Sequence, residues 1–426
     1  MIHNCKTLTS GLATLACLVI GCSTWQASPI PRSPGVNPKP ITAPSMIANS
    51  EPDPVQSITI AQQQFGFALL AALQRENPDQ NLLISPISVA MALTMAYNGA
   101  ATDTQTAMAA VLGLQGLRLE QVNQANQALL GHLTNLDSSL ELAMANSLWL
   151  NQSLPVRREF VDQVRGTYGA EVASLNFADP DAVRQINQWV SRQTRDRIPT
   201  ILDTIPPDQL LFLLNAVYFK GAWTRPFNPD LTRDRPFTLT DGTVLNLPTM
   251  EQRGDYLYLE TNALQVVSLP YGNQSLSLDI ILPAPAVNLE QMIPQLTVDT
   301  WETWSQQLRS RPGRIQLPRF EMTYEANLIP ALESLGMGMA FSDQADFSGL
   351  TSLQAMINQV RHRTYLEVTE KGTEAAAVTS VGIAVTSAPM APEQPFEMVM
   401  DRPFAMVLRD RQSGTLLFLG IVRDPR

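Results

Sequence analysis

The chain has 426 residues, of which 45% are hydrophobic and 16% are charged, and its formal net charge at pH 7 is -10. These proportions are typical of a globular protein with a sizeable core, and the length suits one large domain or two ordinary ones. The acidic balance and the lack of a basic run argue against nucleic acid or a heparin-like polyanion as a partner.

The first 22 residues have the pattern of a targeting segment. A short polar start is followed by a mostly apolar stretch from Leu8 to Ile20, which is too short to span a bilayer comfortably. The stretch ends in Leu-Val-Ile-Gly-Cys at Cys22, which resembles the lipobox of bacterial lipoproteins. We therefore expect residues 1–22 to be a lipoprotein signal peptide and Cys22 to carry the lipid. The alternative is an ordinary signal peptide that is cut elsewhere.

All three cysteines lie in this segment, so the mature chain is expected to keep only the lipidated Cys22 and to form no disulfide. The protein is then secreted and lipid-anchored to the bacterial cell envelope, in the periplasm or at the cell surface, and it meets the membrane through its N-terminus. Residues 23–57 contain eight prolines and little apolar periodicity. We predict a linker there, which extends to about 100 Å at roughly 3.1 Å per residue.

Residues 58–426 are predicted to form one large domain of the α+β class. Ser85 is a plausible N-cap for a helix that begins with Pro86 and ends near Asn98. Helical periodicity also covers residues 58–75, 102–111, 120–136 and 179–195. Strand-like runs follow at 211–220, 276–282, 314–324, 366–370, 404–409 and 416–422. Helices that come first and strands that come later favour α+β over alternating α/β.

Several motifs occur in one order along this domain. They are NLLISPIS at 81–88, LNAVYFKGAW at 214–223 with Phe227, LPRF at 317–320, DFSGL at 346–350, His362, EKGTEAAA at 370–377, DRPF at 401–404 and FLG at 418–420. Taken together they resemble the serpin family of serine protease inhibitors, from Ile58 almost to the C-terminus. Each motif alone is weak, and the ordered set is specific.

The resemblance implies a fold of three β-sheets and eight or nine helices, with an exposed reactive loop between a hinge near Gly372 and a strand near Phe396. In the family mechanism a serine protease cleaves the loop and forms a covalent acyl-enzyme. The freed loop then inserts as a new strand into the central sheet and distorts the protease. The resemblance implies no cofactor and no metal, and we expect a monomer whose partner is the protease.

The residue types of the loop agree with insertion. Thr373 and every second residue up to Ile383 are uncharged, whereas Glu374 falls on the opposite face, where a charge stays in water. No proline interrupts residues 372–388, and Gly372 supplies a flexible hinge. A flexible linker or an alanine-rich helix is the alternative interpretation. The predicted hinge consists of Glu370, Gly372, Thr373, Glu374, Ala375, Ala376 and Ala377.

Counting from Glu370 places the reactive bond between Thr386 and Ser387. No lysine or arginine occurs between residues 372 and 401, so a trypsin-like protease finds no residue for its acidic specificity pocket. The small residues near the bond suit an elastase-like or subtilisin-like protease. The alternative reactive positions are Val385, Ala388 and Met390.

A second group of residues matches family positions that control the opening of the central sheet. The matching positions imply a hydrogen-bonded cluster under the sheet, because buried polar groups require partners. The alternative is a capped helix, a buried asparagine and a core histidine with no further role. The cluster residues are Ser85, Ser88, Asn215 and His362.

Trp223, Arg319 and Glu370 match the region where insertion begins. We expect Arg319 and Glu370 to form an ion pair there, and the alternative is a surface pair worth about 0–1 kcal/mol.

Two other functions are open to a chain of this kind. An enzyme is disfavoured, because the sequence contains no Gly-x-Ser-x-Gly, no Ser-x-x-Lys and no His/Cys/Asp cluster with metal-ligand spacing. The second hypothesis is a non-inhibitory serpin that acts as a binding or carrier protein. Such a protein would not be stabilised by cleavage of its loop.

Overall fold

The structure is a computed structural model, and it describes residues 53–206, 209–373 and 394–426. Nine helices occur within these ranges. They are α1 (Pro54–Glu76), α2 (Pro86–Tyr97), α3 (Thr102–Leu112), α4 (Leu119–Thr134), α5 (Arg158–Tyr168), α6 (Asp181–Gln193), α7 (Leu289–Met292), α8 (Val298–Gln307) and α9 (Ile329–Leu332).

Fifteen strands occur in the same described ranges. They are β1 (Leu82–Ile84), β2 (Leu140–Asn151), β3 (Glu171–Leu175), β4 (Leu211–Ala222), β5 (Arg233–Thr238), β6 (Val244–Glu260), β7 (Leu264–Tyr271), β8 (Leu276–Pro283), β9 (Arg309–Pro318), β10 (Phe320–Asn327), β11 (Gln359–Val368), β12 (Gly372–Thr373), β13 (Phe396–Val399), β14 (Phe404–Asp410) and β15 (Leu416–Val422).

The strands form a central sheet and a larger second sheet. The central sheet has the order β10-β11-β4-β2-β3, and the short β12 also pairs with β4. The second sheet has nine strands, because the long β6 pairs with β5 and β9 along most of its length and with β7 near its end. Two of the three predicted sheets are therefore joined by continuous hydrogen bonding through β6. The predicted α+β fold class is confirmed.

The central sheet is covered on both faces. Its inner face packs on the main core, where α2 is buried along its whole length and is mostly apolar, as expected for a core helix. Its outer face carries α6, whose Ile186 and Val190 pack with Phe212 and Tyr218 of β4 in a separate cluster. The central sheet is thus enclosed between two helical layers.

The five predicted helices are present, with ends shifted by up to four residues. The largest shift is at α1, which begins at Pro54, inside the stretch predicted as linker. The carboxylate of Asp53 accepts a hydrogen bond from the N–H of Val55 at 3.0 Å, and proline suits the first helical position. This cap starts the helix before the first apolar residue of its periodic pattern.

Two strand predictions were wrong in their bounds. The run predicted at 314–324 is two strands, β9 and β10, because the chain leaves the second sheet at Arg319 and joins the central sheet at Phe320. The N–H of Arg319 donates to the carbonyl of Pro248 at this crossing. The strand predicted at 366–370 is the end of β11, which begins at Gln359 and stops at Val368.

None of the helices in the described ranges is long and apolar enough to cross a membrane.

Candidate functional site: the seam of the central sheet

Two neighbouring strands of the central sheet are parallel, and we call the line between them the seam. Here β11 pairs with β4, from Gln359 opposite Phe212 to Tyr365 opposite Tyr218. Beyond Tyr218 the strand β4 continues, but its partner on this side becomes β12, which runs antiparallel to it. The seam therefore ends where a short segment of chain already lies against the free edge of β4.

Three polar side chains form a row across the central sheet, close to the start of α2. Asn146 of β2 lies opposite Asn215 of β4, and Asn215 lies opposite His362 of β11. All three are at most 5% exposed. Together with Ser85 and Ser88, at the beginning of α2, they make up what we call the polar cluster.

Hydrogen bonds connect the members of the polar cluster. The backbone N–H of Ser85 donates to Nε2 of His362 at 3.1 Å, and Nδ1 of the same ring is 2.5 Å from Oδ1 of Asn215. The Asn215 amide donates to Oδ1 of Asn146 at 2.5 Å and to the hydroxyl of Ser88. Apart from the Ser85 hydroxyl, the buried polar groups of three strands and one helix thus satisfy one another.

The His362 ring is neutral in this arrangement. Because Nε2 accepts a hydrogen bond, the proton lies on Nδ1, which donates to Asn215. Burial lowers the pKa of His362 from its ordinary value of 6.5 to about 3, since a charged imidazolium would lose its hydration. The bond between His362 and Asn215 crosses the seam, so any separation of β4 from β11 would break it.

Ser85 joins the polar cluster through its backbone, which differs from its predicted role. It occupies the N-cap position of α2, but its hydroxyl makes no capping hydrogen bond and has no partner among the described residues. The serine N–H is turned instead toward His362.

The first residues of the predicted hinge are already part of the central sheet. Thr373 is fully buried, and its hydroxyl lies 2.9 Å from the hydroxyl of Tyr271. The Tyr271 ring stacks on Trp223 with a centroid distance of 4.1 Å, and the indole N–H of Trp223 donates to the carbonyl of Thr369 at 2.9 Å. We call residues 369–373 and the side chains that hold them the hinge site.

An ion pair holds the other side of the hinge site. Nε of Arg319 is 2.8 Å from both carboxylate oxygens of Glu370, and the hydroxyl of Thr232 donates to the same carboxylate at 2.6 Å. The Glu370 side chain is 5% exposed, whereas that of Arg319 is 47% exposed. Burial on its own raises the pKa of Glu370, but the hydrogen bonds from Arg319 and Thr232 outweigh it, so the pKa lies below its ordinary value.

Within the hinge site, position 372 requires glycine, because any other amino acid would be strained there. Its φ is +129°, a region that residues with a side chain rarely adopt. A Cβ at this position would also lie 2.1 Å from the carbonyl oxygen of Gly221 in β4. The glycine therefore lets the chain approach the edge of β4 closely enough to pair with it.

The sequence that forms this fold, the seam and the hinge site matches the model of a known protein family. The model of the serpin family, described as serine protease inhibitor, matches residues 60–425. The chain belongs to the serpin family.

Serpins from distant organisms are similar to it over most of their length. The leukocyte elastase inhibitor of Bos taurus is 33% identical over 384 residues, which cover 87% of this chain and 100% of the relative. An uncharacterized serpin-like protein of Thermococcus kodakarensis is 34% identical over 365 residues, covering 85% and 84% of the two chains. Serpins such as leukocyte elastase inhibitor are protease inhibitors rather than enzymes, in agreement with the expectation that this serpin is not an enzyme.

Solved serpin structures share the fold. Human thyroxine-binding globulin in complex with thyroxine superposes with a TM-score of 0.80 at 28% identity, covering 87% of this chain and 99% of that chain. Tengpin, a thermophilic serpin in its native state, gives a TM-score of 0.77 at 28% identity, covering 88% and 95%.

Sequence reasoning missed three residues of the two sites. Asn146 belongs to the polar cluster, Tyr271 supports Thr373, and Thr232 donates to Glu370. Asn146 carried a signal, since it and Ser147 are the two polar residues in an otherwise apolar run from Leu142 to Leu150. Tyr271 and Thr232 carried none, because their contacts depend on partners more than 100 residues away.

Other predicted sites lie outside the described residues. They are the lipidation site Cys22, the hinge positions Glu374, Ala375, Ala376 and Ala377, and the reactive-bond candidates Val385, Thr386, Ser387, Ala388 and Met390. Within the described ranges, no group of three or more His, Cys, Asp or Glu side chains is placed to hold a metal ion.

Proposed function

We propose that this serpin inhibits serine proteases as a suicide substrate, through insertion of its cleaved loop into the seam of the central sheet. The observation that carries the proposal is the pairing of Gly372 and Thr373 with the free edge of β4. The chain has already begun a new strand at the end of the seam, and residues 374–393 continue from it.

The register of this pairing can be continued by counting. Gly372 lies opposite Ala222 and Thr373 opposite Gly221, so the paired numbers add to 594. Glu374 would then lie opposite Lys220 (374 + 220 = 594). Thr379 would lie opposite Asn215 of the polar cluster (379 + 215 = 594).

The side-chain faces agree with this register. Thr373 points inward, toward Tyr271. Since side chains alternate along a strand, residues 375, 377, 379, 381 and 383 would also point inward, and all of them are uncharged. Glu374 would point outward next to Lys220, as an opposite charge across neighbouring strands. An inserted strand therefore meets neither a buried charge nor a proline.

The polar cluster supports the same proposal. A strand between β4 and β11 would separate Asn215 from His362 and place Thr379 between them on the same face. The threonine hydroxyl both donates and accepts, so it can replace part of the bond that is lost. Asn215 would keep Asn146, which lies on the far side of β4.

The expected targets are proteases with a small apolar specificity pocket, of the elastase or subtilisin type. No basic residue lies between positions 372 and 401, and the leukocyte elastase inhibitors are among the relatives. We place the reactive bond at Thr386-Ser387. We further propose that the mature chain is a secreted lipoprotein held to the cell envelope by Cys22, with residues 23–53 as its spacer.

The test is to incubate the purified protein with elastase, subtilisin, chymotrypsin and trypsin and to analyse the mixtures on denaturing gels. Trapping gives a band of added mass that survives denaturant with elastase or subtilisin and not with trypsin. Mass spectrometry of the released peptide then identifies the cleaved bond. Cleavage with no such band, together with an unchanged melting temperature, would overturn the proposal in favour of a non-inhibitory binding protein.

A further inference from the structure

The segment between α6 and β4 lies against the outer side of the central sheet. It follows α6, which is held there by the edge-to-face contact of Trp189 with Trp149 of β2, at a centroid distance of 5.8 Å. We call residues 194–206 the connector. Its Ile198 and Leu202 are buried with Tyr218 and Tyr365 in the cluster under α6. An inserting strand has to pass between the connector and the main core.

The connector begins with a strained reversal. Arg195 and Asp196 are consecutive residues with φ of +53° and +61°, which residues other than glycine rarely adopt. The turn is held by the Ser191 hydroxyl, which donates to the Asp196 carboxylate at 2.6 Å, and by the Asp196 N–H, which donates to the Ser191 carbonyl at 2.8 Å. This reversal turns the side chains of Arg195 and Arg197 back onto the sheet.

Arg197 touches both strands of the seam at its last pair. Its guanidinium carbon lies 5.6 Å from the centre of the Tyr365 ring of β11, within the range of a cation–π contact. Its charge also lies close enough to the hydroxyl of Tyr218 of β4 to oppose the rise in the pKa of that tyrosine caused by burial. Tyr218 and Tyr365 are the final partners of the parallel pairing, with ring centroids 6.3 Å apart. One cation thus bridges the two strands where they would begin to part.

The neighbouring contacts of the connector do not bridge the seam in this way. Arg195 forms an ion pair with Glu141 of β2 at 2.7 Å, on the same side of the seam as β4. Arg363 of β11 donates to the carbonyl of Thr200, on the opposite side. Of the two connector arginines, Arg197 is therefore the one that lies next to strands on both sides.

We propose that Arg197 is a positioning residue that holds β4 and β11 together at the end of the seam and so sets the rate at which a strand enters the sheet. The effect on inhibition rests on the function proposed above. Neighbouring strands lie about 4.8 Å apart, so a strand between them would double that distance to roughly 9.6 Å. Arg197 cannot keep both tyrosine contacts across this distance, so these two contacts stabilise only the closed seam.

The first measurement does not depend on protease inhibition. Amide hydrogen exchange of residues 212–218 and 359–365 is compared in the full wild-type protein, in Arg197→Ala and in Arg195→Ala. Loss of an exposed cation–π contact corresponds to about a two- to fivefold change in an opening equilibrium. We expect this increase in exchange on both sides of the seam in Arg197→Ala. Arg195→Ala is the matched control, since it removes an arginine of the same connector without crossing the seam.

The second measurement follows insertion itself. A synthetic peptide with the sequence of residues 374–385 is added to the uncleaved protein, and its incorporation is followed on native gels. We expect incorporation about two- to fivefold faster in Arg197→Ala than in wild type, and unchanged in Arg195→Ala.

The outcomes separate this inference from the proposed function. Equal exchange and equal incorporation in the two variants would overturn the role of Arg197. A peptide that never enters any of the three proteins would count against the proposed function, and the exchange data would then decide the role of Arg197 alone.

Discussion

The carboxylate of Glu370 is almost completely buried and meets a half-exposed arginine, Arg319, that comes from a strand crossing between the two sheets. The carboxylate also accepts a hydrogen bond from the hydroxyl of Thr232. Three separate segments of the chain therefore meet at one charged group. This arrangement fixes the point at which the chain leaves β11 and turns into the hinge.

Glu370→Gln is expected to lower the free energy of unfolding by about 1–3 kcal/mol, because a charged partner of Arg319 is removed from a buried position. The loss should be largest near neutral pH and should vanish in acid, since a carboxyl with a lowered pKa stabilises the fold only above its folded pKa. Denaturant titration at pH 7 and in acid tests this. Glu321→Gln is the control, because that carboxylate is exposed. Equal losses in both variants would contradict the prediction.

His362 is expected to make the protein acid-sensitive. Its folded pKa is about 3 and its ordinary value is 6.5, so the unfolded chain binds a proton between these values and the folded chain does not. The contribution of His362 to the free energy of unfolding is therefore fully present above pH 6.5. It decreases toward pH 3, by at most about 1.4 kcal/mol for each pH unit. The free energy of unfolding of wild type and His362→Gln should converge as the pH falls from 7 to 4. A constant difference across that range would show that the ring does not titrate as argued.

Gly372→Ala is expected to displace the hinge from the edge of β4. The added methyl group would meet the carbonyl oxygen of Gly221, and a φ of +129° is strained for alanine, at about 1–3 kcal/mol. Gly131→Ala is the matched control, since Gly131 lies in α4 with open space around it and alanine favours a helix by about 1 kcal/mol. Melting temperatures should fall for the first variant and hold or rise for the second. A neutral Gly372→Ala would mean that the hinge tolerates other conformations.

The continued register makes a prediction about the cleaved protein. Glu374 should pair with Lys220 only after insertion, with a coupling of about 0.2–1 kcal/mol. A double-mutant cycle of Lys220→Gln and Glu374→Gln, measured on cleaved and uncleaved protein, should give this coupling in the cleaved form alone. Lys220 also lies opposite Glu141 of β2, so the single Lys220→Gln change is expected to affect both forms. Coupling of equal size in both forms would contradict the predicted pairing of Glu374 with Lys220 on insertion.

The sequence predicted the elements with strong local patterns better than those defined by distant partners. The helix predicted from Pro86 to about Asn98 is mostly apolar and begins with proline, and α2 ends within one residue of that prediction. The helix α5 was missed although Phe160, Val164 and Tyr168 recur at helical spacing. The change of sheet at Arg319 could not be predicted, because a strand that moves from one sheet to another keeps its local pattern.

The polar cluster illustrates the same limit at the level of single residues. Asn215 and His362 were identified by their positions in the motifs, whereas Asn146 lies in β2, which no motif covered. Its hydrogen bond to Asn215 joins residues that are 69 positions apart, and only the register of β2 with β4 brings them together. Local periodicity carries no information about that register.

The parallel pairing of β4 with β11 has a consequence for the energy landscape of this protein. A strand that continues β12 would run antiparallel to both neighbours, and it would replace one parallel ladder by two antiparallel ones, which are slightly more stable per residue. Residues 374–393 cannot complete such a strand while β13 remains paired with β9 at their far end. Under the proposed function, the intact chain would be kinetically trapped, and cleavage by a protease would free this segment from β13 and let the strand form.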